Sequence, residues 1–186
     1  MDEKTAIQLT LKGNPAALEW LVEHNQLKAV RAAYLITGDH FSAEDVVQEA
    51  FLDLPDLMRT FDANRPFEPW FLRVIVHRAL RALTRERKWV QFPDLSEMDR
   101  IVSRWTNDQF SPETALQQRE LETRMWNEMK KLSPEQRAAI VMRYYLGMSE
   151  EEMALAASVP AGTIKWRLSA ARRQLRQLFQ EDPRKD

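Results

Sequence analysis

The sequence contains no cysteine among its 186 residues, and only 4 of them are glycine. The absence of cysteine excludes a disulfide framework, a thiolate metal site and a cysteine nucleophile. Scarce glycine leaves no glycine-rich loop that could hold phosphate groups. The three histidines, His24, His40 and His77, lack the spacing of metal ligands. We therefore predict a protein with no catalytic site, no metal, no cofactor and no small-molecule substrate.

Long hydrophobic runs are also missing. No apolar segment approaches the ~18 residues of a membrane-spanning helix, and the N-terminus lacks the basic start and apolar core of a signal peptide. We expect a protein of the cytoplasm. Strict alternation of apolar and polar residues, which would predict strands, is equally absent, and helical periodicity extends along most of the chain. With 44% hydrophobic residues available for buried cores, the sequence predicts an all-α protein.

Charge is nearly balanced overall, at −1, but it is segregated along the chain. Residues 1–60 carry 5 basic and 10 acidic side chains, whereas residues 61–90 carry 7 and 3. Residues 91–135 carry 6 and 9, and residues 136–186 carry 9 and 6. Two basic blocks separated by acidic ones predict two nucleic-acid contacts and at least one partner of another kind.

Helix boundaries in the first half follow from start and stop residues. The start signal Gly13-Asn-Pro15 and the break at Gly38-Asp39 predict a helix over 15–37. Ser42 followed by Asp45 indicates a capping box, so we expect the next helix to begin there and to reach about residue 59. Pro55 lies inside that helix and predicts a kink or a restart. A loop and then a helix over 67–87 complete this half.

The chain is predicted to fold as two small helical domains, residues 1–88 and 112–186. Residues 89–111 mix tryptophan, proline, aspartate and serine without helical periodicity, which predicts a flexible linker. Pro112 is expected to open a helix that ends near Lys131. Ser133 followed by Gln136, with proline between them, indicates the next helix start.

The end of the second domain has the pattern of a helix-turn-helix. Ser149 and Glu152 indicate a capping box, and residues 153–157 supply the apolar side of a short helix. Residues 158–160 break that helix, and the second helix follows. The stretch 159–179 carries five basic residues and no acidic residue. Two helices joined by so tight a break are typical of proteins that place the second helix against DNA.

Helical geometry divides the side chains of this second helix between two faces. The apolar arc consists of Ile164, Leu168, Ala171, Leu175, Leu178 and Phe179. The residues expected to face base edges are Thr163, Lys165, Trp166, Ser169 and Ala170, and those expected to contact phosphates are Arg167, Arg172, Arg173 and Arg176. A solvated basic face is the alternative. An exposed Trp166 favours DNA or a neighbouring domain.

Two further surfaces are predicted in the first domain. An acidic stripe, with Leu52 among its members, consists of Glu44, Asp45, Gln48, Glu49, Asp53 and Asp56. It is either a solvated face or, as Leu52 suggests, a surface for a protein partner. The helix over 67–87 has a basic side with Trp70 at one end, consisting of Arg73, His77, Arg78, Arg81 and Arg85. Such a track suits a nucleic-acid strand, although Trp70 could instead belong to the core.

Two groups of segments resemble a known family. In the first domain they are Gly38-Asp39, Ala43-Glu-Asp-Val-Val-Gln-Glu-Ala-Phe-Leu52, Phe61-Asp-Ala-Asn-Arg-Pro-Phe67 and Trp70-Phe-Leu-Arg73, which resemble region 2 of the extracytoplasmic-function sigma factors. In the second they are Leu132-Ser-Pro-Glu-Gln-Arg137, Met148-Ser-Glu-Glu-Glu-Met153, Val159-Pro-Ala-Gly-Thr-Ile-Lys165 and Ala171-Arg-Arg173, which resemble region 4. The resemblance covers about residues 14–88 and 113–179, in the order of the family.

The resemblance implies a dissociable subunit that gives bacterial RNA polymerase its promoter specificity. The acidic helix with Asp45, Gln48, Glu49, Leu52 and Asp56 would dock on the clamp helices of the largest polymerase subunit, and region 4 would lie at the flap region. The loop Asp62-Ala63-Asn64-Arg65 would capture flipped bases of the −10 element, and Trp70, Arg73, His77 and Arg81 would follow the opened strand. The second helix of the helix-turn-helix would read the −35 element as duplex.

Family members are usually held inactive by an anti-sigma factor, commonly a membrane-associated one, which would place the protein at the inner face of the membrane. Four residues depart from the family. Pro55 interrupts a helix that the family normally keeps smooth, at the far end of the polymerase-docking surface. Ser158 stands where glycine is frequent, which predicts a slightly different turn. Trp166 stands where serine is common and Ala170 where arginine is common, so we expect a different −35 sequence to be read.

An autonomous helix-turn-helix regulator is the alternative function. It would bind an operator tightly without polymerase, usually as a dimer on a palindrome. The near-neutral charge and the acidic stripe centred on Leu52 argue against it.

Overall fold

The computed structural model describes residues 1–85 and 124–180. Within these ranges every regular element is helical and no strand occurs, which confirms the all-α prediction. The predicted linker over 89–111 and the expected helix start at Pro112 lie outside the described residues.

The first domain is built around one long helix. Its elements are α1 (Glu3–Leu11), α2 (Pro15–Thr37), α3 (His40–Leu52), α4 (Leu54–Leu57), a 3₁₀ turn (Met58–Thr60) and α5 (Phe67–Arg85). Helix α2 packs against α1, α3 and α5. The core between them includes Leu21, Ile36, Phe67, Phe71 and Ile75, all fully buried.

Helix α2 begins and ends where the sequence predicts. The Asn14 side chain accepts hydrogen bonds from the backbone of Ala16 and Ala17, at 3.0 and 3.3 Å. Gly38 follows the last turn in the left-handed conformation, with φ of 79°, and its N–H donates to the Tyr34 carbonyl. Glycine adopts this conformation without the steric cost that a Cβ brings.

The predicted capping box at Ser42 and Asp45 is wrong. Helix α3 begins at His40, and Asp39 is its N-cap: the carboxylate accepts from the backbone N–H and the hydroxyl of Ser42, at 2.7 and 2.6 Å. Both residues are good caps, but Asp39 directly follows the Gly38 break and has the extended backbone that a cap requires. Helix α1 is a further element that the sequence analysis did not predict.

The restart predicted at Pro55 is confirmed. Helix α3 ends at Leu52 and α4 begins at Leu54, which places Pro55 in the first turn of a new helix. An N–H has no partner within the helix at that position, so proline costs little there.

The second domain contains five elements in the described residues. They are α6 (residues 124–131), α7 (Pro134–Ile140), a π turn (Val141–Tyr145), α8 (Glu150–Ala157) and α9 (Ala161–Gln180). The capping boxes predicted at Ser133 and Ser149 are both present, with both reciprocal hydrogen bonds formed. In the π turn, the Leu146 N–H donates to the Val141 carbonyl at 3.0 Å.

The two domains pack directly against each other, α7 against α2 and α8 against α5. Arg137 of α7 is only 1% exposed, and its guanidinium donates to the Ile36 carbonyl from Nε and Nη2, at 3.0 and 2.7 Å. Nη2 also donates to the Thr37 carbonyl at 3.4 Å. Beside this contact, the ring of Trp126 stacks on Tyr34 with centroids 5.2 Å apart. Burial lowers the pKa of Arg137 to about 10, so the group stays charged at neutral pH.

We expect Asp39→Ala to lower the free energy of unfolding by about 0.5–2 kcal/mol, because the first turn of α3 loses its cap. Ser42→Ala retains the bond between the Asp39 carboxylate and the backbone of residue 42, so it should cost less. Urea denaturation followed by circular dichroism measures both. A larger loss for Ser42→Ala would place the cap at Ser42.

Candidate nucleic-acid interface

Helices α8 and α9 form the predicted helix-turn-helix. Ser158 ends α8 with φ of 52°, and among the described residues it alone combines a side chain with a positive φ. The Val159 N–H donates to the Ala154 carbonyl at 3.0 Å, which closes the helix end. The Pro160 carbonyl then accepts the N–H of Thr163 at 2.9 Å at the start of α9. Ser158 therefore adopts the left-handed conformation that glycine would adopt here, but its Cβ adds steric strain.

The apolar arc of α9 is buried as predicted. Ile164 and Ala171 are fully buried, and Leu168 and Leu175 are 1% and 8% exposed. The side chains of Leu178 and Phe179 lie outside the described part of the chain. Because four arc residues pack inward, the opposite side of α9 faces solvent.

Most of the residues predicted to contact DNA lie on that solvent side. Those exposed are Lys165, Trp166, Ser169, Arg172, Arg173 and Arg176, and those half-buried are Thr163, Arg167 and Ala170. Trp166 is 65% exposed, which is unusual for so large an apolar ring. Lys165 Nζ lies 3.6 Å from a carboxylate oxygen of Glu150 on α8.

Tyr144, in the π turn, contacts one of these arginines and was not identified from the sequence. The Arg172 Nε donates to the Tyr144 hydroxyl at 2.8 Å, and its guanidinium carbon lies 5.7 Å from the ring centroid. The contact holds the guanidinium at the protein surface. A pairing across 28 residues leaves no local signal in the sequence.

The loop between the 3₁₀ turn and α5 is ordered by its own side chains. Asp62 accepts from the backbone N–H of Asn64 at 3.0 Å and from its amide nitrogen at 3.1 Å. Arg65 Nε lies 3.4 Å from the same carboxylate. The Asn64 N–H, ahead of its amide and Arg65, lowers the pKa of Asp62. This Asx turn exposes Asp62, Asn64 and Arg65, with Ala63 half-buried behind them.

Trp70, at the start of α5, belongs to an aromatic cluster. Its ring lies 4.6 Å from that of Phe61 and 5.6 Å from that of Phe67, centroid to centroid, and it remains half-buried. Trp70 therefore packs partly on the core, and the accessible part of its ring leaves the predicted nucleic-acid contact a prediction.

The basic side of α5 is partly engaged within the chain. Arg73 forms an ion pair with Glu152, the third residue of α8. The pKa of Glu152 is lowered, first by the Ser149 N–H and then by Arg73. Arg78 lies 2.7 Å from Asp53 and 3.9 Å from Glu49, which links α5 to α3.

The predicted polymerase surface is exposed along α3 and α4. Its members Asp45, Gln48, Glu49, Leu52 and Asp56 all face solvent. Leu52 is 79% exposed, so an apolar side chain stands uncovered within an acidic surface. This combination favours a protein partner over a solvated face.

A groove of about 730 Å³ lies between α3, α5 and α8. It brings together Asp45 and Glu49 of the acidic stripe with members of the basic track of α5. The members of the basic track that line the groove are Trp70, Arg73, His77, Arg78 and Arg81. Leu155 of α8 also lines it and is 73% exposed, although the sequence placed it on the apolar side of α8. Only Met153 and Ala156 of that helix are buried.

Two other classes of site have no support in the described residues. No group of histidine, aspartate and glutamate side chains within 1–85 and 124–180 is arranged to hold a metal ion. Over the same ranges, no helix has the length and apolar character that crossing a bilayer requires.

The fold and these surfaces define a two-domain helical protein whose second domain presents a helix-turn-helix to DNA. The model of Sigma-70 region 2 matches residues 21–89, and that of Sigma-70, region 4 matches residues 123–175. Together they match more than half of the chain.

Relatives extend the match to nearly the whole chain. The ECF RNA polymerase sigma factor SigW of Bacillus subtilis is 28% identical over 182 residues, which cover 96% of this chain and 97% of SigW. The chain belongs to the sigma-70 family of RNA polymerase sigma factors, in its extracytoplasmic-function (ECF) group.

Solved structures share the fold. CnrH, in complex with the cytosolic domain of CnrY, superposes with a TM-score of 0.62 at 24% identity, over 97% of this chain and 99% of CnrH. The sigma factor RpoE of Bartonella quintana, in complex with the anti-sigma factor NepR, superposes with a TM-score of 0.55 at 20% identity, over 96% and 97%.

We expect Ser158→Gly to raise the free energy of unfolding by about 0.5–1 kcal/mol, because glycine adopts the left-handed conformation without steric cost. Ser169→Gly, in the interior of α9, is the contrasting control and should lower it by about 0.5 kcal/mol. Urea midpoints measure both. Destabilisation by Ser158→Gly would show that the serine side chain makes a contact worth more than the strain.

Proposed function

We propose that this sigma factor recognises promoters by a division of labour between its two domains. The second domain binds the −35 element as duplex, and the first domain captures bases of the −10 element once the strands separate. Each domain alone binds weakly because neither is strongly basic. On core RNA polymerase the two contacts reinforce each other through effective concentration.

The observation that carries the proposal is the exposed side of α9. Its buried arc of Ile164, Leu168 and Ala171 orients the helix, so that Lys165 and Trp166 face outward near its N-terminus. The N-terminal half of such a helix meets base edges in the major groove. Arg172, Arg173 and Arg176 lie further along the same helix, where they contact phosphates.

The loop at residues 62–65 supports capture of single-stranded bases. The Asx turn of Asp62 presents Asn64 and Arg65 to solvent from an ordered backbone. An ordered loop binds a flipped base with less loss of conformational entropy than a disordered one. Binding only unstacked bases favours the open duplex, since unstacking costs a few kcal/mol. Trp70, His77 and Arg81 then follow the strand along α5.

The acidic stripe around Leu52 is the proposed polymerase-docking surface. Leu52 supplies an apolar anchor, and Asp45, Gln48, Glu49 and Asp56 supply a polar rim, which is the usual composition of a protein interface. We propose that it contacts the clamp helices of the largest subunit and that the second domain lies near the flap. The chain contributes binding alone, and all covalent chemistry belongs to the polymerase.

We further propose that a protein inhibitor controls the chain. CnrH is solved with the cytosolic domain of CnrY, and RpoE of Bartonella quintana with the anti-sigma factor NepR. An anti-sigma factor of this chain would act in the cytoplasm, where RNA polymerase is found, and a membrane-associated one would hold it at the inner face of the membrane.

Run-off transcription tests the function. Sigma-free core polymerase and this protein are combined on fragmented genomic DNA of the host. Discrete transcripts that require the protein are expected, and their upstream sequences define both promoter elements. The absence of transcripts and of co-elution with core polymerase, together with tight binding to a palindrome, would establish an autonomous regulator instead.

For the −35 contact, we expect Lys165→Ala and Trp166→Ala each to lower −35-dependent initiation by roughly five- to 150-fold, as the loss of a base contact worth about 1–3 kcal/mol predicts. Run-off transcription at a promoter found in the preceding experiment measures the effect. Arg124→Ala removes an exposed basic residue outside the helix-turn-helix and is the matched control. Equal activity of all three variants would contradict the proposed role of α9 in promoter recognition.

For the −10 contact, we expect Asn64→Ala to impair strand opening by about two- to tenfold while leaving duplex −35 binding unchanged, because one hydrogen bond to a flipped base is lost. Permanganate reactivity of promoter thymines measures opening, and binding to a −35 duplex is the control. Normal opening by this variant would exclude Asn64 from base capture.

A further inference from the structure

The loop that is proposed to capture −10 bases is anchored in the core at both ends. It begins after Phe61 and returns at Phe67, and these two side chains are 8% and 0% exposed. Their rings meet edge to face, with centroids 6.0 Å apart. The chain therefore leaves the core and re-enters it at nearly the same place. How the loop is presented to solvent depends on what holds these two ends.

The first turn of α5, where the loop ends, has no cap from its own sequence. Helices usually begin after a side chain that accepts the N–H of the second or third helical residue. Here Pro66 directly precedes the helix and carries no acceptor on its side chain, and Pro69 at the third position has no N–H. The buried N–H of Phe67, at the first position, therefore needs an acceptor from elsewhere in the chain.

Helix α1 supplies that acceptor. Glu3, its first residue, accepts the N–H of Phe67 with Oε1 at 3.1 Å, across 64 positions of the sequence. The carboxylate lies at the N-terminus of α5, where the positive end of the helix dipole stabilises a negative charge. The next residue of α5, Glu68, forms an ion pair with Lys28 of α2. Side chains of two other helices thus hold the start of α5.

Helix α1 also packs against the other side of the loop. It contacts the 3₁₀ turn Met58–Thr60, which ends just before the loop begins. Its own position is fixed by Ala6 and Ile7, which are buried in the core. Helix α1 therefore touches the chain before the loop and the residue after it. It precedes residue 21, where the match to Sigma-70 region 2 begins, so the match does not describe this contact.

We propose that Glu3 is a positioning residue for −10 recognition, which holds the loop at residues 62–65 in the conformation that captures flipped bases. This inference rests on the proposed function. Glu3 touches no DNA, but it fixes Phe67, and Phe67 ends the loop that presents Asn64 and Arg65. Without this bond the loop samples more conformations, and that entropy is lost when a base binds. The contact therefore favours strand opening and leaves the binding of duplex −35 DNA unchanged.

Three variants separate this contact from a general effect of charge. Glu3→Ala removes both the acceptor and its negative charge. Glu3→Gln removes the charge but keeps an amide oxygen that accepts the N–H of Phe67. Glu23→Ala removes a negative charge from an exposed position of α2 and is the matched control. An effect of charge on DNA binding would appear in all three variants, whereas loss of the contact with Phe67 occurs in Glu3→Ala alone.

Amide hydrogen exchange of the free chain, followed by NMR, is the first measurement. The N–H of Asn64 donates to the Asp62 carboxylate and that of Arg65 to the Asp62 carbonyl, so their exchange rates report the order of the loop. We expect Glu3→Ala to raise the exchange rates of Asn64, Arg65 and Phe67 by about two- to tenfold, as the loss of one hydrogen bond predicts. Glu3→Gln and Glu23→Ala should exchange like the natural chain. Unchanged loop exchange in Glu3→Ala would overturn the proposal.

Strand opening by the chain on core RNA polymerase is the second measurement. At a promoter found by run-off transcription, we expect Glu3→Ala to lower the permanganate reactivity of −10 thymines by about two- to tenfold. Glu3→Gln should restore it, and binding to a −35 duplex should be the same for every variant. A contact that serves stability alone would lower the urea midpoint of Glu3→Ala but leave opening by the folded chain unchanged. That result would also overturn the proposal.

The role of Glu3 and the proposed function fail in different ways. If the natural chain and Glu3→Ala open promoters equally, the promoter function stands and the role of Glu3 falls. If the natural chain opens no promoter, the promoter function falls. Faster loop exchange in Glu3→Ala alone would then still support Glu3 as the residue that orders the loop, and unchanged exchange would overturn it.

Discussion

A buried positive charge determines how the halves of this protein fit together. Arg137 is buried, and burial lowers its pKa to about 10, so that it keeps its charge at neutral pH. Such a group is tolerated only where its donors find acceptors. The carbonyls of Ile36 and Thr37 are available because Gly38 ends α2 at that point. The glycine turn of the first domain thus leaves two carbonyls that can accept hydrogen bonds from Arg137 of the second domain.

Local signals made most of the fold predictable. Ser133 and Ser149 were identified as caps because their partners lie three residues away, and Gly38 was identified as a helix end from its own backbone preference. The same logic was wrong at Ser42, where Asp39 offered a competing cap three residues earlier. Helix α1 was missed, although the Asp2 side chain caps it and Glu3 accepts the N–H of Phe67 across 64 residues.

Within the candidate site, the sequence predicted which side of a helix is buried, but it did not predict contacts between helices. The burial of Ile164, Leu168 and Ala171 on α9 follows from spacing alone. The pairing of Tyr144 with Arg172 and of Arg73 with Glu152 joins residues 28 and 79 positions apart, and no periodicity encodes such contacts. The exposure of Leu155 was not predicted either. Leu155 lines a groove that is formed with α3 and α5 of the other domain, and such a contact between distant residues is not encoded in the spacing of α8.

The π turn at residues 141–145 determines the direction in which side chains at the end of this helix point. Its bond from the Leu146 N–H to the Val141 carbonyl encloses one residue more than an α-helical turn does. Each residue of an α-helix advances about 100° around the axis, so the extra residue sets the direction in which Tyr144 leaves the helix. A chain shortened by one residue here would regain regular winding and turn Tyr144 away from Arg172. The position of Arg172, on the side of α9 that faces solvent, thus depends on the number of residues in a turn that lies outside the helix-turn-helix.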